Sequence, residues 1–277
     1  MSINLNSVLL PGLPEPLALA SRGLLYGDGL FETIRVFSGR IPFLHLHWQR
    51  LEAGLRVLSF DIPAEWSAAF FEKEILKLSP VNARIRISVW RSDGGFYFPA
   101  NNKPNFFITA APLDDDGFTW QDAGLKIRRC ERVQLPVDAV SVLKTLGCTR
   151  QVVAAMEARA KGADDVIVLN ARGLICEATS SNIFWIKDDI VLAPPTNMGQ
   201  VTGTFQKILS RALAAEGSTI IEKAATFAEL LEADEVFLTN AIQGIRWVRF
   251  LEDKEYPGAK VFCLYKLTVN YINSLPR

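Results

Sequence analysis

The apolar positions change period along the chain. An apolar-rich run from Leu30 to Phe37 follows the turn Tyr26-Gly27-Asp28-Gly29. Leu44, Trp48, Leu51, Leu55 and Leu58 then recur at intervals of three and four, the repeat of a helix with one apolar face. A second helix is expected between Pro63 and Leu78. Ala83 to Trp90 alternates apolar and polar as a half-buried strand does, and Asn105 to Ala111 reads as its neighbour. The polar, turn-forming stretch Pro112-Leu-Asp-Asp-Asp-Gly117 interrupts this pattern. It predicts a small α/β domain over 1–113, a linker at 114–118, and a larger strand-rich domain over 119–277.

In the second part, LKIRRCERV from Leu125 reads as a strand and Cys148 to Lys161 as a helix. The short apolar runs DVIVLN and NIFWI alternate with Gly, Asp-Asp and Pro-Pro punctuation, as in a strand-rich core. A helix is expected after Gly203, a short one over Phe227–Leu231, a strand at EVFLTN, and a last helix at the C-terminus. The fold class is mixed α/β. The stretch LPGLPEPLALASRG near the start reads as turn-rich.

Composition narrows the function. The 277 residues are 49% hydrophobic and 22% charged, enough to bury a sizeable core, which excludes wholesale disorder. Thirty basic residues balance thirty acidic ones, so there is no electrostatic footprint for nucleic acid or an anionic membrane. No stretch approaches the ~18 apolar residues of a spanning helix. The N-terminus lacks the basic and apolar regions of a signal peptide. Four dispersed cysteines form no CxxC pair, which indicates neither a zinc site nor a disulfide framework. The expectation is a cytoplasmic enzyme acting on a small molecule.

Several constellations are absent: there is no GxxxxGK[ST] phosphate cradle and no GxSxG nucleophile elbow. His45 and His47 are the two histidines, and both read as structural. Among twelve lysines, Lys144 stands out within VSVLKTLG, where desolvation would favour the neutral, nucleophilic amine. Its alternative is a solvated surface charge. Glu177 lies in GLICEATSSNIFWI just before a strong strand, and a turn-facing carboxylate is its equal alternative.

Five segments in order link these residues. They are Tyr26-Gly-Asp-Gly-Leu-Phe-Glu32-Thr-Ile-Arg35, His47-Trp-Gln-Arg50-Leu51, Leu143-Lys144-Thr145, Gly173-Leu-Ile-Cys-Glu177-Ala-Thr-Ser-Ser-Asn182-Ile-Phe184 and Thr239-Asn240-Ala241. Together they resemble the class IV pyridoxal-phosphate enzymes, which include branched-chain aminotransferases, D-amino-acid aminotransferases and aminodeoxychorismate lyases. The resemblance implies a two-domain fold-type IV enzyme with pyridoxal 5′-phosphate in the cleft between domains. It implies that the larger domain supplies Lys144, Glu177 and the Gly203 turn. Lys144 would carry the cofactor as a Schiff base and move the α-proton, and Glu177 would keep the pyridine nitrogen protonated. Arg50 would bind the phosphate, together with the turn Gly203-Thr204-Phe205 at a helix N-terminus and Asn240. Tyr26, Glu32, Arg91 and Ala241 would line the substrate. It also implies a homodimer whose site borrows the Tyr26 region or the Arg91–Pro99 loop from the partner.

Details point to a family member. Branched-chain aminotransferases typically carry a tyrosine five residues after the lysine, where this chain has Thr149. D-amino-acid aminotransferases use an Arg-x-His in the loop that here reads Arg91-Ser-Asp-Gly-Gly-Phe-Tyr-Phe-Pro99. The Gly94-Gly95 pair followed by an aromatic, and the ADEVFLTNA segment, are similar to aminodeoxychorismate lyase. That activity removes pyruvate from 4-amino-4-deoxychorismate to leave 4-aminobenzoate. The alternatives are an aminotransferase of branched-chain or D-amino acids, and a binding protein without turnover.

Overall fold

The computed structural model describes residues 2–11, 21–78, 80–115 and 117–275. Most of the turn-rich stretch after Pro11 and Asp116 of the expected linker lie outside the described residues. Contacts divide the chain into two units, Met1–Gly117 with Leu143–Gly147, and Phe118–Val142 with Cys148–Arg277. The first division falls within the expected linker. The second differs from expectation, because the five residues around Lys144 group with the first unit rather than the larger one.

The first unit is built on an antiparallel sheet of β1 (Ile3–Leu5), β2 (Val8–Leu10), β3 (Gly29–Val36), β4 (Ala83–Arg91) and β5 (Pro104–Pro112), in the order β2-β1-β5-β4-β3. Helix α1 (Arg22–Tyr26) precedes β3, and α2 (Leu44–Val57) and α3 (Ala68–Leu76) follow it. The expected apolar stripe of α2 buries Leu44, Leu51 and Leu55 against Ile34, Ile85, Ile87 and Ile108 of the sheet. Helix α3 starts later than Pro63 because the Ser67 hydroxyl accepts from the Phe70 N–H and caps it.

The second unit holds β6 (Leu125–Arg129), α4 (Thr149–Ala160), β7 (Asp165–Leu169), β8 (Ile175–Ala178), β9 (Asn182–Lys187), β10 (Ile190–Ala193), α5 (Thr204–Ala215), β11 (Ile220–Glu222), α6 (Phe227–Leu231), β12 (Glu235–Asn240), β13 (Gly244–Leu251), β14 (Lys254–Glu255) and α7 (Ala259–Ser274). Its sheet runs β11-β10-β9-β12-β13-β6-β7-β8, and β8 pairs again with β9 through Glu177 and Asn182. That last pair closes the central strands into a ring. β6 ends at Arg129, short of the expected strand. There Glu157 of α4 takes over the backbone by accepting the N–H groups of Glu131 and Arg132.

Candidate functional site

Chemistry-bearing residues gather in two clusters, one in each unit. In the first unit Lys144 sits in an irregular segment laid along β3. The Phe31 N–H donates to the Lys144 carbonyl at 2.9 Å, and the Leu146 N–H donates to the Gly29 carbonyl at 2.9 Å. Gly29 permits this close approach, since a Cβ there would stand 2.1 Å from the Val89 carbonyl oxygen and 2.8 Å from a Leu146 methyl. The Lys144 ammonium lies 4.3 Å from the centre of the Phe31 ring. The half-buried lysine is thus fixed by backbone contacts to a strand more than a hundred residues earlier.

The neighbouring residue on β3, Glu32, is 1% exposed. Its carboxylate accepts from Arg50 Nε at 2.7 Å and from Arg50 Nη2 at 2.6 Å, and from His47 at 2.7 Å. His47 and Arg50 are three apart on α2, so both reach the same acceptor from one helix face. Burial alone would raise the Glu32 pKa, but the Arg50 charge and the hydrogen bonds from Arg50 and His47 outweigh it and hold it down at about 2. Burial pushes the His47 pKa below its ordinary value, opposed by Glu32 and reinforced by the Arg50 and Lys144 charges. A neutral His47 then donates its Nδ1–H to the carboxylate, which can only accept.

Glu32, expected at the substrate, is buried here and orients Arg50 through a bidentate pair. Arg91, also expected at the substrate, is buried and has its own partners. Its guanidinium donates to Asp28 at 3.0 Å, Asn102 at 2.6 Å and the Leu58 carbonyl at 2.6 Å, tying the end of β4 to the start of β3, to the following loop and to the end of α2. Arg22, which the sequence did not single out, shares Asp28 at 2.8 Å and donates to the Phe96 carbonyl at 2.6 Å and the Gly94 carbonyl at 3.2 Å. Tyr26 is exposed at the end of α1 and packs on the Tyr97 ring.

Glu32 also predicts an acid response. Its folded pKa is depressed, so its stabilisation is complete above about pH 4.5 and is lost as pH falls toward about 2. At 1.36 kcal/mol per unit this is on the order of 3 kcal/mol. Acid unfolding should show a flatter pH dependence for Glu32→Gln between those values than for the wild type. Identical slopes would contradict this assignment.

In the second unit the carboxylate of Glu177, on β8, accepts the Val201 N–H at 3.1 Å. Two residues on, Gly203 is the N-cap of α5. Among the described residues no side chain caps this end, and the first turn, Thr204-Phe-Gln, contains no acid. Backbone N–H groups at such an end favour an anion. The Phe205 side chain is buried in the core against Phe118 at 5.0 Å. Only its backbone can face an anion. Asn240 accepts the N–H groups of Ile242 and Gln243 and donates to the Ser181 hydroxyl at 3.0 Å. It thus shapes the turn that carries Ala241.

The class IV aminotransferase model matches residues 29–250. The chain is 30% identical to a putative branched-chain-amino-acid aminotransferase of Methanocaldococcus jannaschii, over 87% of this chain and 84% of that one. It is 29% identical to an aminodeoxychorismate lyase of Vibrio harveyi, over 84% and 87%. The solved 4-amino-4-deoxychorismate lyase of Pseudomonas aeruginosa superposes with a TM-score of 0.82 at 28% identity, covering 94% of this chain and 95% of that one. Motif order, fold and these likenesses agree, and the chain belongs to the class IV aminotransferases, as an enzyme of that family.

Proposed function

We propose that this enzyme is a 4-amino-4-deoxychorismate lyase that uses pyridoxal 5′-phosphate. The described residues fit that cofactor. The N-terminus of α5 carries no side-chain cap, Glu177 offers a buried carboxylate, and the buried Thr239 hydroxyl beside Asn240 has no partner among the described residues. Bound pyridoxal phosphate supplies an electron sink for charge developing at the substrate α-carbon.

The chain's own residues do the rest. Lys144 Nζ would hold the cofactor and would serve as the base for the substrate α-proton. Glu177 would hold the proton of the cofactor's ring nitrogen. Arg50, oriented by Glu32, and the Gly203-Thr204 turn bind the phosphate. The observation that carries the lyase reading is the hairpin between β4 and β5. Residues 92–99 contain no Lys, Arg or His, and their tip presents Phe96, Tyr97 and Phe98, 82%, 92% and 89% exposed. Flat aromatic faces can pack against a six-membered ring substrate. An aminotransferase is the second reading, favoured by the 30% identity to a protein of that name. Turnover of 4-amino-4-deoxychorismate, measured against L- and D-amino acids with a keto-acid acceptor, separates them. Pyruvate and 4-aminobenzoate in equal amounts support the lyase; faster amino transfer overturns it.

The same hairpin supports a homodimer. Buried Arg22 fixes its carbonyls, so the exposed aromatics stand on a held frame beside exposed Leu24 and Leu25. A patch of this kind marks an interaction surface. Replacing Phe96, Tyr97 and Phe98 together by Ser should shift sedimentation from dimer to monomer. A wild type that is fully active as a monomer contradicts the proposal.

Arg50→Ala should weaken cofactor affinity more than it slows turnover at saturating cofactor, because the contact is equal in ground and transition states. It should also cost on the order of 3 kcal/mol of stability, since the buried Glu32 loses its charge partner. Unchanged cofactor affinity would return Arg50 to a purely structural role.

A further inference from the structure

Glu177, Asn182 and Thr239 stand opposite one another across β8, β9 and β12. Residues directly opposite in antiparallel pairs project from one face, so carboxylate, amide and hydroxyl form a polar row. Asn182, the middle member, is 8% exposed. Its side-chain N–H donates to the Val201 carbonyl at 2.8 Å, while the Val201 N–H donates to Glu177 at 3.1 Å. Both polar groups of one backbone residue are thus gripped by the two side chains that close the ring of strands. Upstream, Cys176 Sγ and Asn170 both donate to the Met198 carbonyl, at 3.0 and 3.2 Å. The segment 198–203 is tied at each end.

Gly203 completes the arrangement. Its φ of −72° and ψ of 142° are open to any residue, so conformation does not demand glycine. Space does: a Cβ there would stand 1.9 Å from the Asn182 side-chain oxygen. The amide of Asn182 is pressed against the residue that opens α5.

We infer that Asn182 is a positioning residue that holds the phosphate turn at Gly203 in register with the carboxylate of Glu177. The inference rests on the cofactor reading above. Ring nitrogen and phosphate sit at a fixed separation in a stiff molecule, so a site that grips both must fix its own two contacts relative to each other. Asn182 joins them through Val201 and through contact with Gly203. Loss of its side chain leaves the Val201 carbonyl without this donor and opens space beside Gly203.

The test is titration of the apo-protein with pyridoxal phosphate and, separately, with pyridoxal, which lacks the phosphate. Asn182→Ala should lower pyridoxal phosphate affinity about 10–100-fold, the scale on which outer contacts tune metal sites, and leave pyridoxal affinity nearly unchanged. Asn182→Asp keeps the shape, turns the donor at Val201 into an acceptor and adds a negative charge by the phosphate turn, so it should lose more. It also provides a near-isosteric variant should Asn182→Ala fail to fold. Gly203→Ala should weaken pyridoxal phosphate binding alone but add little in the Asn182→Ala background, where the space is open. Equal losses for both ligands, unchanged affinity, or additive losses in the double variant overturn the inference while leaving the cofactor reading intact. A wild type that takes up no pyridoxal phosphate overturns both.

Discussion

Lys144→Ala should reduce turnover by several orders of magnitude and end covalent attachment of the cofactor. Nucleophile and base are assigned to the same amine, so both roles vanish together; proton transfer alone contributes ~10²–10⁴-fold. The fold should survive, because the segment is held by backbone bonds from Phe31 and Leu146 that alanine retains. Arg50 and the Gly203 turn should still bind pyridoxal phosphate without the covalent link. Added methylamine should restore a small part of the rate as a diffusible base. A variant within tenfold of wild type, roughly one decade against the 10²–10⁴ expected of the base alone, would remove Lys144 from the chemistry.

Glu177→Gln should retain the cofactor yet slow α-proton removal by about 10²–10³-fold, the scale of losing one preorganised electrostatic partner. The amide can still accept the Val201 N–H, so the segment leading to α5 stays in place. A neutral amide could not balance a protonated ring nitrogen, which would weaken the electron sink that the cofactor would supply. A primary isotope effect on the α-hydrogen should grow as proton removal becomes limiting. Wild-type rates from this variant would show that Glu177 does not face the ring.

Much of this arrangement is legible in the sequence wherever the signal is local. The three-and-four spacing from Leu44 matches α2 within one residue, and the alternation from Ala83 matches β4. Phe227–Leu231 and Glu235–Asn240 coincide with α6 and β12. β13 escaped because GIRWVRFL has no clean alternation. It pairs antiparallel with β12 and parallel with β6 across a register shift near Arg249, and it buries Ile245 and Trp247 on one face and Val248 on the other. The unit that holds Lys144 could not be read from its neighbours in the chain, because its partners are in β3, more than a hundred residues away.

The site divides in the same way. His47 and Arg50 lie three apart on a helix, and that spacing was available as a signal of one shared acceptor. The acceptor, Glu32, comes from another element, so its role as Arg50's anchor appears only in the fold. Arg91 has the residue type of a substrate contact, but Asp28, Asn102 and the Leu58 carbonyl claim its guanidinium. Asn182 carries no chemical signature of its own. Its place opposite Glu177 and against Gly203 becomes visible only when the hairpin closes.

One lysine, Lys144, is proposed to carry the cofactor. Borohydride reduction of the holoenzyme followed by peptide mapping tests it directly, since reduction fixes the pyridoxyl group wherever it is attached. A single modified peptide containing Leu143-Lys144-Thr145 is expected, with loss of the visible absorbance band. A pyridoxyl group on any other of the twelve lysines, or on none, would contradict it.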